Sequence, residues 1–266
     1  MNAHHAAWPD FLQTLCAPAS TTCVDIIIDQ AGCTVPLLPS VQSVLPPLPW
    51  YSLFTGLPEA GADEYGPLLV RVDLSQPLQR LWLGGLMQAL QGKSQLLALV
   101  SPWPFTTLAK HLSRCLEAGN GGCVGLLRYY DPRLFPLLLN SILEPQQRNA
   151  WLSPALFWSW LDLDGAPQCL PGTCGLPPAG DGFKALELTD LQVEALGCAG
   201  DAVLAVDELE ANLPSDWSHE QRFKTCYRLM HVATEAGLLL QPQREAFVLE
   251  NLHLAGNTSA ATTGRE

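Results

Sequence analysis

The chain has 266 residues, of which 48% are hydrophobic and only 15% are charged. This composition predicts a folded protein with a large core and excludes an intrinsically disordered one. The formal net charge is −12, from 14 basic and 26 acidic residues, so neither a nucleic acid nor an anionic membrane is expected to bind its surface as a whole.

The cysteines and the N-terminus both favour a cytoplasmic protein. The nine cysteines are scattered and include no C-x-x-C pair, which indicates reduced thiols that pack as small core residues. The first residues lack the basic region and the apolar stretch of an export signal. No apolar run reaches the ~20 residues that a membrane-spanning helix needs.

Positive charge is concentrated in the middle of the chain. Residues 71–148 include eight basic and four acidic side chains, so this segment carries +4 while the whole chain carries −12. Such a segment is either ordinary solvated surface or a docking face.

Strand and helix patterns alternate through the N-terminal half. Apolar residues at helical spacing predict an opening helix over residues 8–16, and the β-branched run at 23–28 predicts a buried strand. The proline-rich passage 36–49 is expected to be largely non-helical. Further strands are predicted at 50–54, 68–72 and 96–100, and helices at 78–90 and 105–116.

A strand, a corner and a helix are predicted in succession over residues 124–139. The apolar run at 124–130 predicts a strand buried on both faces. Proline disfavours the helical conformation in the residue before it, so Asp131 is expected to cap a helix whose first position is Pro132. The residues expected to hold this structural corner, by ion pairing and capping, are Arg128, Tyr130, Asp131, Pro132 and Arg133.

Beyond the corner the pattern changes from mixed to helical. Residues 156–161 are predicted to form an edge strand. In the helical part, Asp190 is predicted to cap the first helix, and an apolar stripe predicts a second helix that ends at Gly237. A last helix is predicted at 243–252. The predicted fold class is α/β, a mixed sheet with flanking helices followed by a smaller all-helical lobe. The predicted domains are an α/β domain at 1–165, a Gly/Pro-rich linker at 166–182, the helical lobe at 183–255 and a disordered tail at 256–266.

No catalytic residue, metal or cofactor is expected. Residues 92–94, Gly-Lys-Ser, resemble the end of a phosphate-binding loop but lack its first glycine. There is no Gly-x-Ser-x-Gly motif, and no histidine and cysteine stand at metal-ligand spacing. Asp25 and Asp29 flank a strand, where paired carboxylates can act as acid and base, but an ion pair with Arg128 or Arg133 is the favoured interpretation.

Aromatic and basic side chains provide the candidates for binding a protein partner. Tryptophans cluster near predicted strand ends and loops, and a predicted helix carries basic residues on the face opposite its apolar stripe. Most of the aromatics are expected in the core, and the remainder suit an interface, where Trp, Tyr and Arg are favoured anchors. The candidate partner-binding residues are Trp103, Lys110, His111, Arg114, Trp151 and Trp158.

Four features, in chain order, resemble a known family. They are a strand that ends in Asp29, the segment 53–60 (Leu-Phe-Thr-Gly-Leu-Pro-Glu-Ala), the strand 66–70 (Gly-Pro-Leu-Leu-Val) and the corner 128–133 (Arg-Tyr-Tyr-Asp-Pro-Arg). Over residues 23–162 the chain is similar to the type VI secretion effector chaperone (adaptor) family, long catalogued as a domain of unknown function. Two positions depart from that pattern: Ser113 stands where arginine is expected, and Leu127 replaces an aromatic residue.

The resemblance implies a non-enzymatic cytoplasmic protein. Members of the family hold a toxic effector and load it onto the VgrG spike, so the implied partners are an effector and VgrG, with no nucleic acid, membrane or cofactor. Two alternatives stay open. One is an immunity protein that neutralises a toxin, and the other is a cytosolic hydrolase that uses Asp29 or His111.

Overall fold

The computed structural model describes residues 3–62, 65–177 and 183–256. The chain divides into two compact units, Met1–Leu188 and Thr189–Glu266. The first unit contains two sheets with flanking helices, and the second is helical throughout its described part. The predicted fold class, an α/β unit followed by a smaller helical one, is therefore confirmed.

The elements have the following bounds. The strands are β1 (Cys23–Ile28), β2 (Trp50–Ser52), β3 (Leu68–Asp73), β4 (Leu96–Val100), β5 (Glu117–Asn120), β6 (Cys123–Leu126), β7 (Phe157–Leu161), β8 (Pro167–Pro171) and β9 (Leu186–Glu187). The helices are α1 (Ala3–Cys16), α2 (Leu38–Gln42), α3 (Pro77–Ala89), α4 (Phe105–Arg114), α5 (Phe135–Leu137), α6 (Pro145–Leu152), α7 (Asp190–Glu208), α8 (His219–Glu235) and α9 (Gln241–Gly256). Within the described residues, no helix combines the length and the apolar character needed to cross a membrane.

The larger sheet has six strands in the order β2-β3-β1-β4-β7-β8, and each neighbouring pair is antiparallel. The smaller sheet has the order β6-β5-β9, in which β5 and β6 are antiparallel while β5 and β9 are parallel. The predicted mixture of parallel and antiparallel strands thus occurs in the smaller sheet, and the larger sheet is antiparallel throughout.

Strand β1 lies inside the larger sheet and has two chemically different faces. Successive side chains of a strand point to opposite faces. Val24, Ile26 and Ile28 belong to one core cluster, together with apolar side chains of α1 and α3. The alternate positions Asp25 and Asp29 bring two buried carboxylates to the other face.

Asp25 forms an ion pair with Arg71, the residue directly opposite it on β3. The guanidinium donates through Nε and Nη2 to the two carboxylate oxygens, at 2.8 and 2.7 Å. Only 1% of the Asp25 side chain and 19% of the Arg71 side chain are exposed. Nη2 of Arg71 also donates to the Trp103 carbonyl oxygen at 3.3 Å, which ties this pair to the loop before α4.

The strand predicted at 124–130 is wrong in both its extent and its burial. The observed strand, β6, is exposed along its whole length and ends at Leu126. Gly121 and Gly122 both have positive φ, which suits a two-residue hairpin, and their turn folds β6 back onto β5. The strand therefore joins the smaller sheet, and the buried Tyr129 and Tyr130 follow it outside any strand.

The helix predicted to begin at Pro132 also needs correction. Helix α5 starts at Phe135, has no side-chain cap, and continues as a π-helical turn over Leu138–Ile142. The Asp131 carboxylate instead accepts from the backbone N–H of Arg133 at 3.0 Å, and its backbone oxygen accepts from Phe135 at 2.9 Å. The Asp131 carboxylate closes a local turn with Arg133 and therefore does not cap the helix that follows.

The segment predicted as a linker, 166–182, contributes to the larger sheet. Its residues 167–171 form β8, which pairs with β7, so β8 is the edge strand in place of the predicted 156–161. Prolines at both ends of β8 suit an edge position, because proline cannot donate to a ladder. Residues 178–182 lie outside the described part, and the two units meet in sequence at Leu188.

The helical unit contains α7, α8 and α9. Helix α7 starts at Asp190, and its cap is Thr189, whose side chain accepts from the N–H of Gln192, so the cap predicted at Asp190 is one residue too late. The predicted stripe ends with α8, just before Gly237, which has positive φ. Helix α9 extends to Gly256, and the rest of the predicted tail lies outside the described residues.

Removing the Asp25 carboxylate is expected to destabilise the N-terminal unit. Asp25→Ala leaves the partly buried Arg71 guanidinium without its counter-ion, which costs about 3–5 kcal/mol of unfolding free energy. Urea denaturation followed by tryptophan fluorescence measures this, because seven of the eight tryptophans lie in that unit.

The matched control for Asp25→Ala is Asp10→Ala, which breaks the exposed pair of Asp10 with Arg80. Exposed ion pairs contribute little, so no measurable change is expected from the control. A double variant, Asp25→Leu with Arg71→Met, should recover most of the lost stability because it removes both charges. A loss below about 1 kcal/mol for Asp25→Ala would contradict this account.

Candidate partner-binding groove

The corner residues attach the chain after β6 to the end of β1. Nη2 of Arg128 donates to Oδ2 of Asp29 at 2.7 Å. Arg133 donates through Nε and Nη2 to the carboxylate of Asp131, at 2.9 and 2.7 Å. Tyr130 is buried, and the Arg128 guanidinium lies 5.6 Å from its ring centroid. Arg128 thus forms its ion pair with Asp29 and Arg133 forms one with Asp131, and Arg133 is also close enough to Asp29 to lower its pKa.

Asp29 has both carboxylate oxygens engaged. Oδ1 accepts from the backbone N–H of Ala31 at 2.9 Å, and Oδ2 accepts from Arg128. Burial raises the pKa of Asp29 above its ordinary value, while the Ala31 N–H and Arg128 oppose this shift. This arrangement is that of a structural ion pair, as the favoured interpretation of the sequence had it.

A groove of about 460 Å³ opens between α4, α6 and the segment around β9. This volume is within the range of ligand-binding pockets. Its walls are mainly aromatic and aliphatic, with a few amides and charges among them. The lining includes Trp103, His111, Trp151, Leu176, Phe183 and Lys184.

His111 lies in the wall of the groove between two aromatic rings. Its ring centroid is 5.1 Å from that of Trp103 and 5.5 Å from that of Phe183, and both contacts are edge-to-face. Nε2 lies 2.6 Å from the carbonyl oxygen of Ala150, which can only accept, so Nε2 carries the proton. Burial lowers the pKa of His111 from its ordinary value and Arg114 adds to this, while the hydrogen bond to Ala150 opposes it, so the neutral ring is favoured.

Three cations lie at or beside the groove. The Arg114 guanidinium is 4.6 Å from the ring centroid of Phe183, a cation–π contact. Lys110 is exposed one turn earlier on α4, and the exposed Lys184 is part of the lining itself. Glu187 is the acidic member of the described lining. The described lining thus contains one cation and one carboxylate, and the other two cations lie on α4 beside it.

The three tryptophans selected from the sequence are not exposed. Trp103 is 2% exposed, whereas Trp151 and Trp158 are fully buried. Trp158 is a core residue that packs 4.8 Å from the Phe135 ring and donates to the Trp151 carbonyl oxygen. Trp103 and Trp151 contribute to the groove wall, and their part in binding a partner stays a prediction.

Trp151 has a buried donor without an acceptor. Among the described residues, its Nε1 is one of the few buried side-chain nitrogen or oxygen atoms that form no hydrogen bond. An unsatisfied buried donor costs about 1–3 kcal/mol, so most such groups in proteins find a partner. The indole N–H is therefore an unsatisfied donor inside the fold, and it has no accessible surface.

Several groove residues were missed from the sequence. Leu176, Phe183 and Lys184 line the groove but fall in or beside the segment predicted as a linker, so the sequence pattern assigns them to no site. Leu176 is 90% exposed. The available indication was a pair of large apolar side chains, Leu176 and Phe183, in a stretch otherwise rich in Gly, Pro and polar residues.

Cys115 lines the groove and is buried. Burial raises the pKa of the Cys115 thiol far above its ordinary value, so this groove-lining side chain is a protonated thiol. Cys169 and Cys174, the pair considered for oxidation, are both free and exposed. Within residues 3–62, 65–177 and 183–256, no group of three His, Cys, Asp or Glu side chains is placed to hold a metal ion.

A family model described as "Domain of unknown function (DUF4123)" matches residues 26–150. This span starts within β1, includes α4 and the corner, and ends within α6. It falls inside the region over which the sequence resembles a family catalogued as a domain of unknown function. A search of curated proteins and a search of solved structures found no match.

We expect Asp131 to stabilise the corner measurably. Asp131→Ala removes the acceptor for the Arg133 backbone and for its guanidinium, so the unfolding free energy should fall by about 1–3 kcal/mol. Asp131→Asn keeps an oxygen for the Arg133 N–H and should lose less. Thermal denaturation of the three proteins tests this order, and equal melting temperatures for all three would refute the role assigned to Asp131.

Protonation of His111 is expected to oppose folding. Since its pKa in the folded chain is below 6.5, the unfolded chain binds a proton that the folded chain rejects, and stability falls as the pH drops below about 6.5. His111→Gln keeps a donor for Ala150 but does not titrate. Its stability should therefore decline less between about pH 7.5 and 5.5 than that of the unmodified chain, as measured by urea denaturation. An identical decline in both proteins would contradict the shifted pKa.

Proposed function

We propose that this chain is a non-enzymatic cytoplasmic adaptor that binds a type VI secretion effector and loads it onto the VgrG spike. The observation that carries the proposal is the family-model match over residues 26–150, because this family is associated with adaptors of type VI effectors. The corner motif that suggested the resemblance, 128–133, lies inside the matched span.

The form of the groove supports binding of a polypeptide. It is open, has apolar walls and carries charge beside them, which is the character of a surface that buries a partner's side chains. A site that binds a protein needs a complementary surface and no reacting centre. The groove offers apolar surface at Leu176 and Phe183.

The groove gives less support to a hydrolase. The two candidate catalytic residues lie in different places. His111 lines the groove, whereas Asp29 is paired with Arg128 outside it. Nucleophilic catalysis needs a nucleophile within hydrogen-bond reach of its base. His111 donates from Nε2 to the backbone carbonyl oxygen of Ala150, and burial keeps the groove-lining Cys115 a protonated thiol.

Co-purification provides the test of this function. The tagged chain, expressed with the products of its neighbouring genes, is expected to retain both the effector and VgrG, while an effector from an unrelated gene cluster should not be retained. Recovery of neither partner would refute the proposal.

Measuring effector secretion and protection of target cells distinguishes an adaptor from an immunity protein. An adaptor is expected to raise the amount of secreted effector without protecting a target cell. Protection of the target cell with no effect on secretion would identify the chain as an immunity protein instead.

A further inference from the structure

We propose that the groove between α4, α6 and the segment around β9 binds an amphipathic segment of the effector that is apolar on one side and acidic on the other. This inference rests on the proposed function, which supplies the effector as the partner. It adds the place of contact and the chemistry of the segment that is recognised.

The apolar side of the segment is inferred from the walls of the groove. Trp103 and Trp151 are buried behind the wall, and the half-buried ring of Phe183 contributes apolar surface to the groove. Leu176 stands at the groove with 90% of its surface exposed, so a bound apolar side chain would remove it from water. Apolar anchors that enter a pocket of this kind carry most of the binding energy in protein interfaces.

The acidic side is inferred from the charges around the same walls. Lys184 lines the groove, and Arg114 stacks on the groove-lining Phe183. Lys110 stands four residues before Arg114, which places both on one side of α4. Glu187 opposes them as the acidic lining residue, so the balance of these named charges is positive. A carboxylate-rich segment complements this balance, and a lysine-rich segment does not.

The experiment uses three synthetic peptides of about 14 residues, four turns of helix. All three carry leucines along one face. The opposite face carries glutamates in the first peptide, lysines in the second and serines in the third, which serves as the uncharged reference. Each is labelled with a fluorophore, and its binding to the full chain is measured by fluorescence anisotropy.

The acidic peptide is expected to bind about tenfold or more tightly than the uncharged peptide, with the lysine peptide the weakest. Leu176→Glu and Lys184→Glu should each weaken binding of the acidic peptide by about tenfold or more, the first by placing a charge at the apolar wall and the second by reversing a cation. Both residues are exposed, so these substitutions leave the core unchanged.

Matched controls come from exposed residues outside the groove. Leu81→Glu replaces a 72% exposed leucine on α3, and Lys93→Glu reverses an exposed lysine after the same helix. Both should bind the acidic peptide as the unmodified chain does. Equal binding of the three peptides, or unchanged binding by the Leu176 and Lys184 variants, overturns the inference.

Failure of this inference is distinguishable from failure of the proposed function. If the Leu176→Glu and Lys184→Glu chains still co-purify with the effector as well as the unmodified chain does, the groove is not the contact site, although the adaptor function stands. If the unmodified chain binds the acidic peptide as expected but recovers neither effector nor VgrG, the adaptor function fails and the chemistry of the groove stands.

Discussion

The arrangement of the N-terminal unit depends on a carboxylate buried in a strand that has neighbours on both sides. An ionised group in such a place is tolerated only when a cation and hydrogen bonds compensate for the lost water. Arg71 on the adjacent strand provides both for Asp25, and its guanidinium also reaches the carbonyl oxygen of Trp103. One ion pair therefore joins the register of β1 and β3 to the loop from which α4 begins.

Helix α4 connects this constraint to the groove. On its buried side, the Ser113 hydroxyl donates to the carbonyl oxygens of Leu53 and Thr55, so the helix is held against a segment that also belongs to the family resemblance. On its other side, His111 contacts Ala150 of α6 and the ring of Phe183. The groove is thus a consequence of how α4 is held between the sheet and the later part of the unit.

The corner motif is a structural device with limited chemistry of its own. Arg128 fastens the chain to the end of β1 through Asp29, and Arg133 is held by Asp131 two residues before it. Such pairs specify where the chain turns, which explains how a short motif can mark a fold. The surface that we propose for a partner lies elsewhere, in the groove, where exposed apolar side chains and cations occur together.

Local patterns determined much of this structure. The β-branched run at Cys23–Ile28 and the apolar stripes of α3, α4 and α8 were predicted correctly because helix and strand periodicity is carried by near neighbours. Tertiary structure decided what near neighbours cannot encode. The strand β8 exists because β7 offers it a ladder, despite a composition typical of a linker. Tertiary structure also decided the burial of the tryptophans and the formation of the groove. Phe183 lies more than 70 positions after His111 in the chain, and the groove forms only when folding brings these two rings together.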